Sequence, residues 1–207
     1  MTDDGAVQPP EDALGAFVHQ TVNALWRGFQ ENRASAVAAL AKLRHSYPHG
    51  GIVRAESFEF LGDRFIHGQV DRDGVTSDER AAAAALALFA FHQQSNMTVP
   101  MHRRGVDHRL GRAAATLTTP AGEAGVRRRV NSLVTAPDVV AVLEHLRGLV
   151  QMMRAHQVPL DYAQLARDLR AVHDPTGLRT TRIRWSRDYH HVRTESTEST
   201  KTPGAEA

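Results

Sequence analysis

Apolar side chains recur every three or four positions along most of this chain, which is the spacing of one face of an α-helix. A first apolar stripe predicts a helix over about residues 11–32, and its members are Phe17, Val18, Val22, Leu25, Trp26 and Phe29. A second, shorter stripe consists of Ala36, Val37, Leu40 and Leu43. It ends near Tyr47-Pro48 and the Gly50-Gly51 pair, residue types that interrupt helices. We therefore expect the first two helices to form a hairpin.

The middle of the chain has a mixed pattern followed by a strong helix. Residues 52–76 contain scattered aromatic and aliphatic residues that fit short helices. Ser77 or Asp78 can then cap a helix that continues over 81–94, where a run of alanines allows neighbouring helices to approach closely. The predicted core face of this helix is Leu86, Phe89 and Ala90. Further helices are predicted over about 107–117 and 123–134.

The second half contains the clearest helix of the sequence. It opens at Pro137-Asp138, and its apolar stripe consists of Val139, Val142, Leu143, Leu146, Leu149, Val150 and Met153. Asp161 starts a last predicted helix, which ends before Asp174-Pro175. The apolar residues of that helix are Tyr162, Leu165 and Leu169. No region alternates with the period of two that a half-buried β-strand requires.

These elements predict an all-α helical bundle in two subdomains that divide near Thr118 to Pro120. The predicted segments are a flexible N-terminal tail over 1–10, an N-terminal helical subdomain over 11–118, a C-terminal helical subdomain with a basic arm over 119–193, and a disordered tail over 194–207. The last segment is rich in Ser, Thr and Glu, and such a composition buries too little apolar surface to offset the entropy of folding.

Composition excludes several classes of protein. The 207 residues include no cysteine, which excludes disulfide frameworks, thiolate zinc sites and cysteine nucleophiles. No stretch reaches the roughly 18 consecutive apolar residues that a transmembrane helix needs. The start of the chain is acidic and contains proline, unlike the basic and then apolar start of a signal peptide. We therefore expect a cytoplasmic protein.

Positive charge is concentrated in one part of the sequence. Residues 1–96 have a net charge of −4, whereas residues 97–193, with 16 basic and 8 acidic side chains, have a net charge of +8. Of the 25 basic residues, 23 are arginines. The planar guanidinium group binds phosphate through paired hydrogen bonds, so this bias fits a phosphate-binding protein. A G+C-rich genome is the alternative explanation of the bias.

Arginines of the helix predicted over 107–117 lie outside its apolar stripe. The inward-facing residues of this helix are Leu110, Ala113, Ala114 and Leu117. At about 100° per residue, Arg112 lies opposite the core and Arg109 lies on the flank of the same outer face. Both guanidinium groups can therefore reach one external anion.

Arg127, Arg128 and Arg129 form a ridge on the next predicted helix. The inward-facing residues of that helix are Val126, Val130, Leu133 and Val134. Arg128 consequently points to solvent, and its two neighbours leave from the flanks. A ridge of cations fits the repeating phosphates of a nucleic acid better than it fits one small anion, although a solvated face with local ion pairs is the alternative. Two further candidates, Arg103 and Arg104, lie in the loop before the helix predicted over 107–117.

A basic segment with aromatic residues follows the last predicted helix. It contains Arg182, Arg184 and Arg187 together with Trp185 and Tyr189. Proteins that bind single strands interleave cations and rings in this way, because bases stack on the rings beside a basic track. The alternative is that the two rings dock this arm on the helical bundle.

No catalytic site, metal site or cofactor is predicted. The sequence contains no phosphate-binding G-x-x-x-x-G-K-[ST] loop, no dinucleotide-binding glycine motif and no nucleophile elbow. None of the 12 histidines forms an H-E-x-x-H pair, so structural or surface roles explain them. Asp161 and Asp168 are interpreted as a helix cap and a surface helix residue. We therefore expect a protein that is not an enzyme.

Several segments together resemble the CasB family, the small subunit of the type I-E CRISPR surveillance complex called Cascade. The resembling stretches are ALAKLR (39–44), FHQQS (91–95), PMHR (100–103), LGRA (110–113), HLRGLV (145–150) and PLDYAQLARDL (159–169). They occur in the order of the family, and the resemblance extends from about residue 17 to 189. Each stretch alone is weak, whereas their joint order is specific.

The resemblance implies two helical subdomains and a non-catalytic role in antiviral defence. Its implied partners are crRNA and target DNA, bound through backbone contacts, the backbone and large subunits of Cascade, and a second copy of the chain. It also implies that the subunit stabilises the R-loop and the displaced strand. In such complexes base pairing reads the sequence, so the protein needs only backbone contacts. The residues alone also allow a helical scaffold protein whose basic face binds an acidic protein partner.

Overall fold

The chain is built from α-helices that are joined by turns and short 3-10 segments. A computed structural model describes residues 13–65, 70, 73–117 and 123–200. The α-helices are α1 (Ala13–Gln30), α2 (Ala34–His45), α3 (Phe58–Leu61), α4 (Ser77–Gln93), α5 (Leu110–Ala115), α6 (Glu123–Val134), α7 (Val139–Ala155), α8 (Tyr162–Ala171) and α9 (Pro175–Thr200). The described residues form isolated β-bridges but no strand, so the all-α prediction is confirmed.

Helices α1 and α2 form the predicted hairpin. The turn between them uses Asn32 in the left-handed region, at φ 54°, and the Arg33 amide donates to the Gly28 carbonyl over 2.8 Å. Gly28 is required for this packing, because a Cβ atom at its position would lie 2.7 Å from the Cβ of Ala36. The two apolar stripes therefore meet at close range, as their spacing predicts.

Helix α4 lies at the centre of the bundle. Its N-terminus is capped by Thr76, one residue before the predicted Ser77 or Asp78: the Thr76 hydroxyl accepts from the Glu79 amide at 3.1 Å, and the Glu79 carboxylate accepts from the Thr76 amide at 2.7 Å. Every side chain over 81–90 is buried, not only the predicted core face. A helix that is apolar on all sides must be surrounded by other elements, and α4 contacts α1, α2, α7 and α8.

A buried polar seam joins α4 to α8. The Tyr162 hydroxyl donates to the Leu88 carbonyl over 3.2 Å and lies 2.9 Å from Nδ1 of His92. Asp161 caps α8 as predicted, since its carboxylate accepts from the Gln164 amide at 3.0 Å. These bonds satisfy polar groups that burial would otherwise leave without water.

Helices α6 and α7 form a second hairpin with the predicted bounds. Asp138 caps α7, accepting from the Ala141 amide at 2.9 Å, and the apolar stripe of α7 is buried against the bundle. The Tyr47 hydroxyl donates to the Leu143 carbonyl over 2.6 Å and fixes α7 against the end of α2.

Helix α9 is the largest departure from the prediction, which placed a basic arm beyond Asp174-Pro175. Pro175 instead begins a helix that continues to Thr200 and packs along α5. The close approach depends on Gly111 in α5, where an added Cβ atom would lie 2.6 Å from the Cβ of Asp188 and would overlap the Trp185 carbonyl oxygen. The structure describes a helical backbone up to Thr200, and 201–207 lie outside the described residues, so the disorder expected from Thr194 onward stays a prediction.

Buried side chains form one connected core from Leu14 in α1 to Tyr189 in α9. Helix α8, which the sequence assigns to the second subdomain, packs on α1 and α4. Residues 1–10, predicted as a flexible tail, and the proposed division at Thr118 to Pro120 lie outside the described residues. The division into two subdomains therefore stays a prediction.

Candidate nucleic-acid interface

The exposed face of α6 forms an open polar depression. Val126, Val130 and Leu133 are buried, so the side chains between them point outwards. The depression is lined by Ala124, Arg127, Arg128, Asn131, Ser132 and Thr135. Two arginines share this surface with three neutral polar side chains, Asn131, Ser132 and Thr135, that are able to form hydrogen bonds.

Arg129 leaves α6 on the opposite flank and lies over α7. A Cβ atom added to Gly148 would lie 3.7 Å from Nε of Arg129, which is ordinary van der Waals contact. The ridge therefore divides, with two arginines on the depression and one directed towards α7.

The charge of this ridge is not neutralised within the described part of the chain. No hydrogen bond or ion pair joins the side chains of Arg127, Arg128 or Arg129 to another described residue. All three are exposed. The alternative interpretation, a solvated face with local ion pairs, therefore has no ion pair among the described residues to support it.

The arrangement predicted for Arg109 and Arg112 needs correction. Helix α5 begins at Leu110, and Arg109 precedes it with an extended backbone at ψ 151°. The helical spacing that placed both side chains on one outer face does not hold there. Arg112 also pairs with Asp107, with 3.4 Å between Nη1 and Oδ1, and only 20% of its side chain is exposed.

Arg103 and Arg104 are exposed in a loop that is tied to the start of α8. The Arg103 amide donates to the Leu160 carbonyl over 3.3 Å, and the Gly105 amide donates to the Asp161 carboxylate over 3.1 Å. The backbone of this loop is thus fixed while both guanidinium groups face solvent.

The arginines of α9 serve different purposes. Arg182 donates from Nε to the Val134 carbonyl at the end of α6, and Arg187 is exposed. Trp185 and Tyr189 are buried, with 1% and 0% of their surfaces exposed. The docking alternative therefore describes the two rings, and neither is available for stacking on bases.

Asp168 is buried and is not the surface residue that the sequence suggested. Its carboxylate accepts from Nη2 of Arg184 at 2.6 Å, from Nε1 of Trp185 at 2.6 Å and from Nε2 of Gln164 at 2.7 Å. Burial raises the pKa of this carboxyl, against the opposing effect of the Arg184 charge. Asp168 thus fastens α9 to α8.

Two arginines that sequence reasoning missed lie where α7 meets α4. The Cζ atom of Arg147 is 4.4 Å from the ring centroid of Phe91 and 5.1 Å from that of Tyr47. Arg154 lies 5.6 Å from the Phe91 centroid and donates to Oε1 of Gln94 over 3.1 Å. The sequence carries one signal for them, because no aspartate or glutamate occurs in 91–105 or in 145–160.

Buried histidines are neutral parts of the packing. Burial lowers the pKa of His92 to about 3 and that of His102 to about 4. His102 is placed by its Nε2, which lies 2.8 Å from Nδ1 of His19. The described residues contain no group of three or more potential metal ligands, and none of their helices is long and apolar enough to cross a membrane.

Comparison with solved structures finds the same fold in several chains, among them these three. CasB from Thermobifida fusca is 30% identical with a TM-score of 0.70, and the match covers 86% of this chain and 97% of that one. CasB from M. ruber is 24% identical with a TM-score of 0.59, covering 88% and 98%. A chain of a structure described as a CRISPR RNA-guided surveillance complex is 22% identical with a TM-score of 0.67, covering 91% and 99%.

Comparison with protein families matches residues 23–190 to CRISPR-associated protein Cse2. A search of curated proteins finds no match. The family match spans most of the chain, including the helices that carry the arginine ridge and the core around α4. The chain therefore belongs to the CRISPR-associated Cse2 family, which includes the CasB proteins.

Proposed function

We propose that this chain is a non-catalytic small subunit of a Cascade complex and that the α6 surface holds nucleic acid through its phosphates. The observation that carries the proposal is the exposed, unpaired group of Arg127, Arg128 and Arg129. Membership of the Cse2 family supports a place in CRISPR defence. The surveillance complex that contains a chain of the same fold supports partners among other Cascade subunits, crRNA and target DNA.

The chemistry of the depression fits backbone contacts. Arginine forms paired, charge-assisted hydrogen bonds with phosphate, and the amide of Asn131 and the hydroxyl of Ser132 can bind phosphate or sugar oxygens. The described residues of the lining include no aromatic ring on which a base could stack. Contacts of this kind position a strand without reading its sequence.

Weak phosphate contacts are sufficient for a role in R-loop formation. The heteroduplex that forms is about as stable as the DNA duplex that it replaces, so the exchange is nearly balanced. A few additional contacts to the backbone can therefore shift it towards the open state.

The test replaces Arg127, Arg128 and Arg129 with alanine in the assembled complex. The affinity for a fluorescently labelled, matched target duplex is measured at several salt concentrations. Each lost phosphate contact should lower the slope of log affinity against log salt by roughly 0.7 to 0.9, the counterions no longer released. Arg33→Ala, which removes an exposed arginine that pairs with Glu31, is the matched control.

The outcomes separate the function from its rival. Weaker binding with a smaller slope, equal for different matched sequences, supports backbone contacts. An unchanged affinity and slope in an assembled complex would refute the proposal. Failure of the variant to join the complex, with an unchanged circular dichroism spectrum of the free chain, would instead favour an acidic protein partner for this ridge.

A further inference from the structure

Arginine side chains lie on both sides of helix α7. On one side, Arg129 of α6 reaches over Gly148. On the other side, Arg147 and Arg154 lie along the groove between α7 and α4, with Phe91 beneath both guanidinium groups. Gly148 therefore lies on the partly exposed face of α7 between the two groups of arginines.

Gly148 has no side chain, so α7 presents no bulky group of its own at this position. Among the described residues, and apart from the adjacent backbone of α7, Arg129 is the only neighbour within 4 Å of a Cβ atom added at this position. The adjacent exposed residues towards the C-terminus of α7 are Gln151 and Ala155, which carry no charge. On the C-terminal side of Gly148 a negatively charged strand therefore meets no carboxylate of α7, whose one acidic side chain, Glu144, precedes the glycine.

The charged side chains of α7 are unevenly distributed along the helix. Glu144 is exposed one turn before Gly148 and is the only acidic side chain of α7. Between Glu144 and Asp161 the sequence contains no acidic residue. Along α7 a polyanion is therefore repelled by Glu144 and attracted by Arg147 and Arg154.

Arg147 and Arg154 are held in place before any ligand binds. Arg147 lies over two rings, and the guanidinium group of Arg154 is fixed by Gln94 as well as by Phe91. Both side chains are nevertheless partly exposed, and no ion pair to a described residue neutralises them. A fixed cation loses less side-chain entropy on binding phosphate than a mobile surface arginine does.

We infer that the nucleic-acid surface continues from α6 across α7 at Gly148 to Arg147 and Arg154, so that a single strand passes over the α6–α7 hairpin. This inference rests on the proposed function for its ligand and adds the path and the residues that bind it. The strand is bound through its phosphate charges and not through its bases, so binding along this path does not depend on base sequence.

The test uses the assembled complex and the same labelled target duplex. Arg147→Gln with Arg154→Gln removes both charges while keeping polar side chains of similar reach, and Arg33→Gln is the control for loss of an exposed arginine. The double variant should lower the salt slope by roughly 1.4 to 1.8, the value for two phosphate contacts, and the control should not. Gly148→Glu should also weaken binding, whereas Gly148→Ala should not, because it adds only a methyl group at ordinary van der Waals distance from Arg129.

Each result decides between the two proposals. Weaker binding by the double variant and by Gly148→Glu, with both controls unchanged, supports the crossing. An unchanged double variant, in a complex that the α6 triple variant weakens, would end the path at α6 and leave the proposed function standing. An equal loss in Arg33→Gln, or failure of the double variant to assemble, would also overturn the inference, because the arginines would then act through general charge or a subunit contact.

Discussion

The carboxylate of Asp168 should be the main polar anchor of α9, and its removal should destabilise the whole chain. Asp168→Ala leaves the Trp185 indole N–H buried without an acceptor, since that ring is only 1% exposed. An unsatisfied buried donor costs about 1 to 3 kcal/mol. Loss of the ion pair with Arg184 should add at most about 1 kcal/mol, because 40% of the Arg184 side chain is exposed and water can solvate its charge.

The expected decrease in the free energy of unfolding is therefore about 1 to 4 kcal/mol for Asp168→Ala. Asp168→Asn retains an oxygen acceptor for Trp185 but turns its NH2 group towards the donors of Arg184 and Gln164, so it should lose about 1 to 2 kcal/mol. Asp107→Ala is the matched control, because it breaks an aspartate–arginine pair whose carboxylate is 87% exposed. Such surface pairs contribute about 0 to 1 kcal/mol.

Urea unfolding followed by circular dichroism measures all three variants. The order of stability should be Asp107→Ala, then Asp168→Asn, then Asp168→Ala, which should unfold at the lowest urea concentration. If Asp168→Ala were as stable as the Asp107→Ala control, α9 would be held by its apolar contacts alone and the reasoning would be wrong.

Two further outcomes are expected. Gly111→Ala should lower the melting temperature markedly, because the new methyl group would lie 2.9 Å from the Tyr189 backbone nitrogen, and a melting temperature equal to that of the wild type would contradict the close packing of α5 and α9. Stability should also fall as the pH decreases from about 6.5 towards 4, because the unfolded chain binds protons that buried His92 and His102, with pKa values of about 3 and about 4, cannot accept. Each histidine contributes at most about 1.4 kcal/mol per pH unit, and urea unfolding of His102→Gln should show a shallower decline.

Local signals in the sequence were sufficient for the helices that carry the proposed interface. Helix α6 has the predicted bounds, and α7 and α8 are capped by the predicted Asp138 and Asp161. In these segments a capping side chain and an apolar stripe agree, so neighbouring residues determine the helix without help from distant ones. The outward direction of Arg128 follows from the same periodicity.

The sequence could not predict features that depend on contacts between distant segments. Helix α9 has few apolar residues, and its docking depends on Gly111 and Asp168, which lie far from it in sequence. The sequence prediction overestimated the exposure of Arg112. It placed Asp107 in a regular helix, whereas Asp107 lies in a 3-10 turn from which its carboxylate pairs with Arg112. Burial of a polar residue is decided by its partner, and a pattern of apolar positions does not contain that information.

The sequence by itself therefore determined the all-α class, the hairpin of the first two helices and the outward ridge of Arg127, Arg128 and Arg129, because each depends on local periodicity and turn residues. Only the tertiary structure decided that Trp185 and Tyr189 are core residues and that Arg147 and Arg154 lie on the far side of α7. Those positions depend on which helices meet, and helix packing depends on the shape of surfaces that distant segments form together.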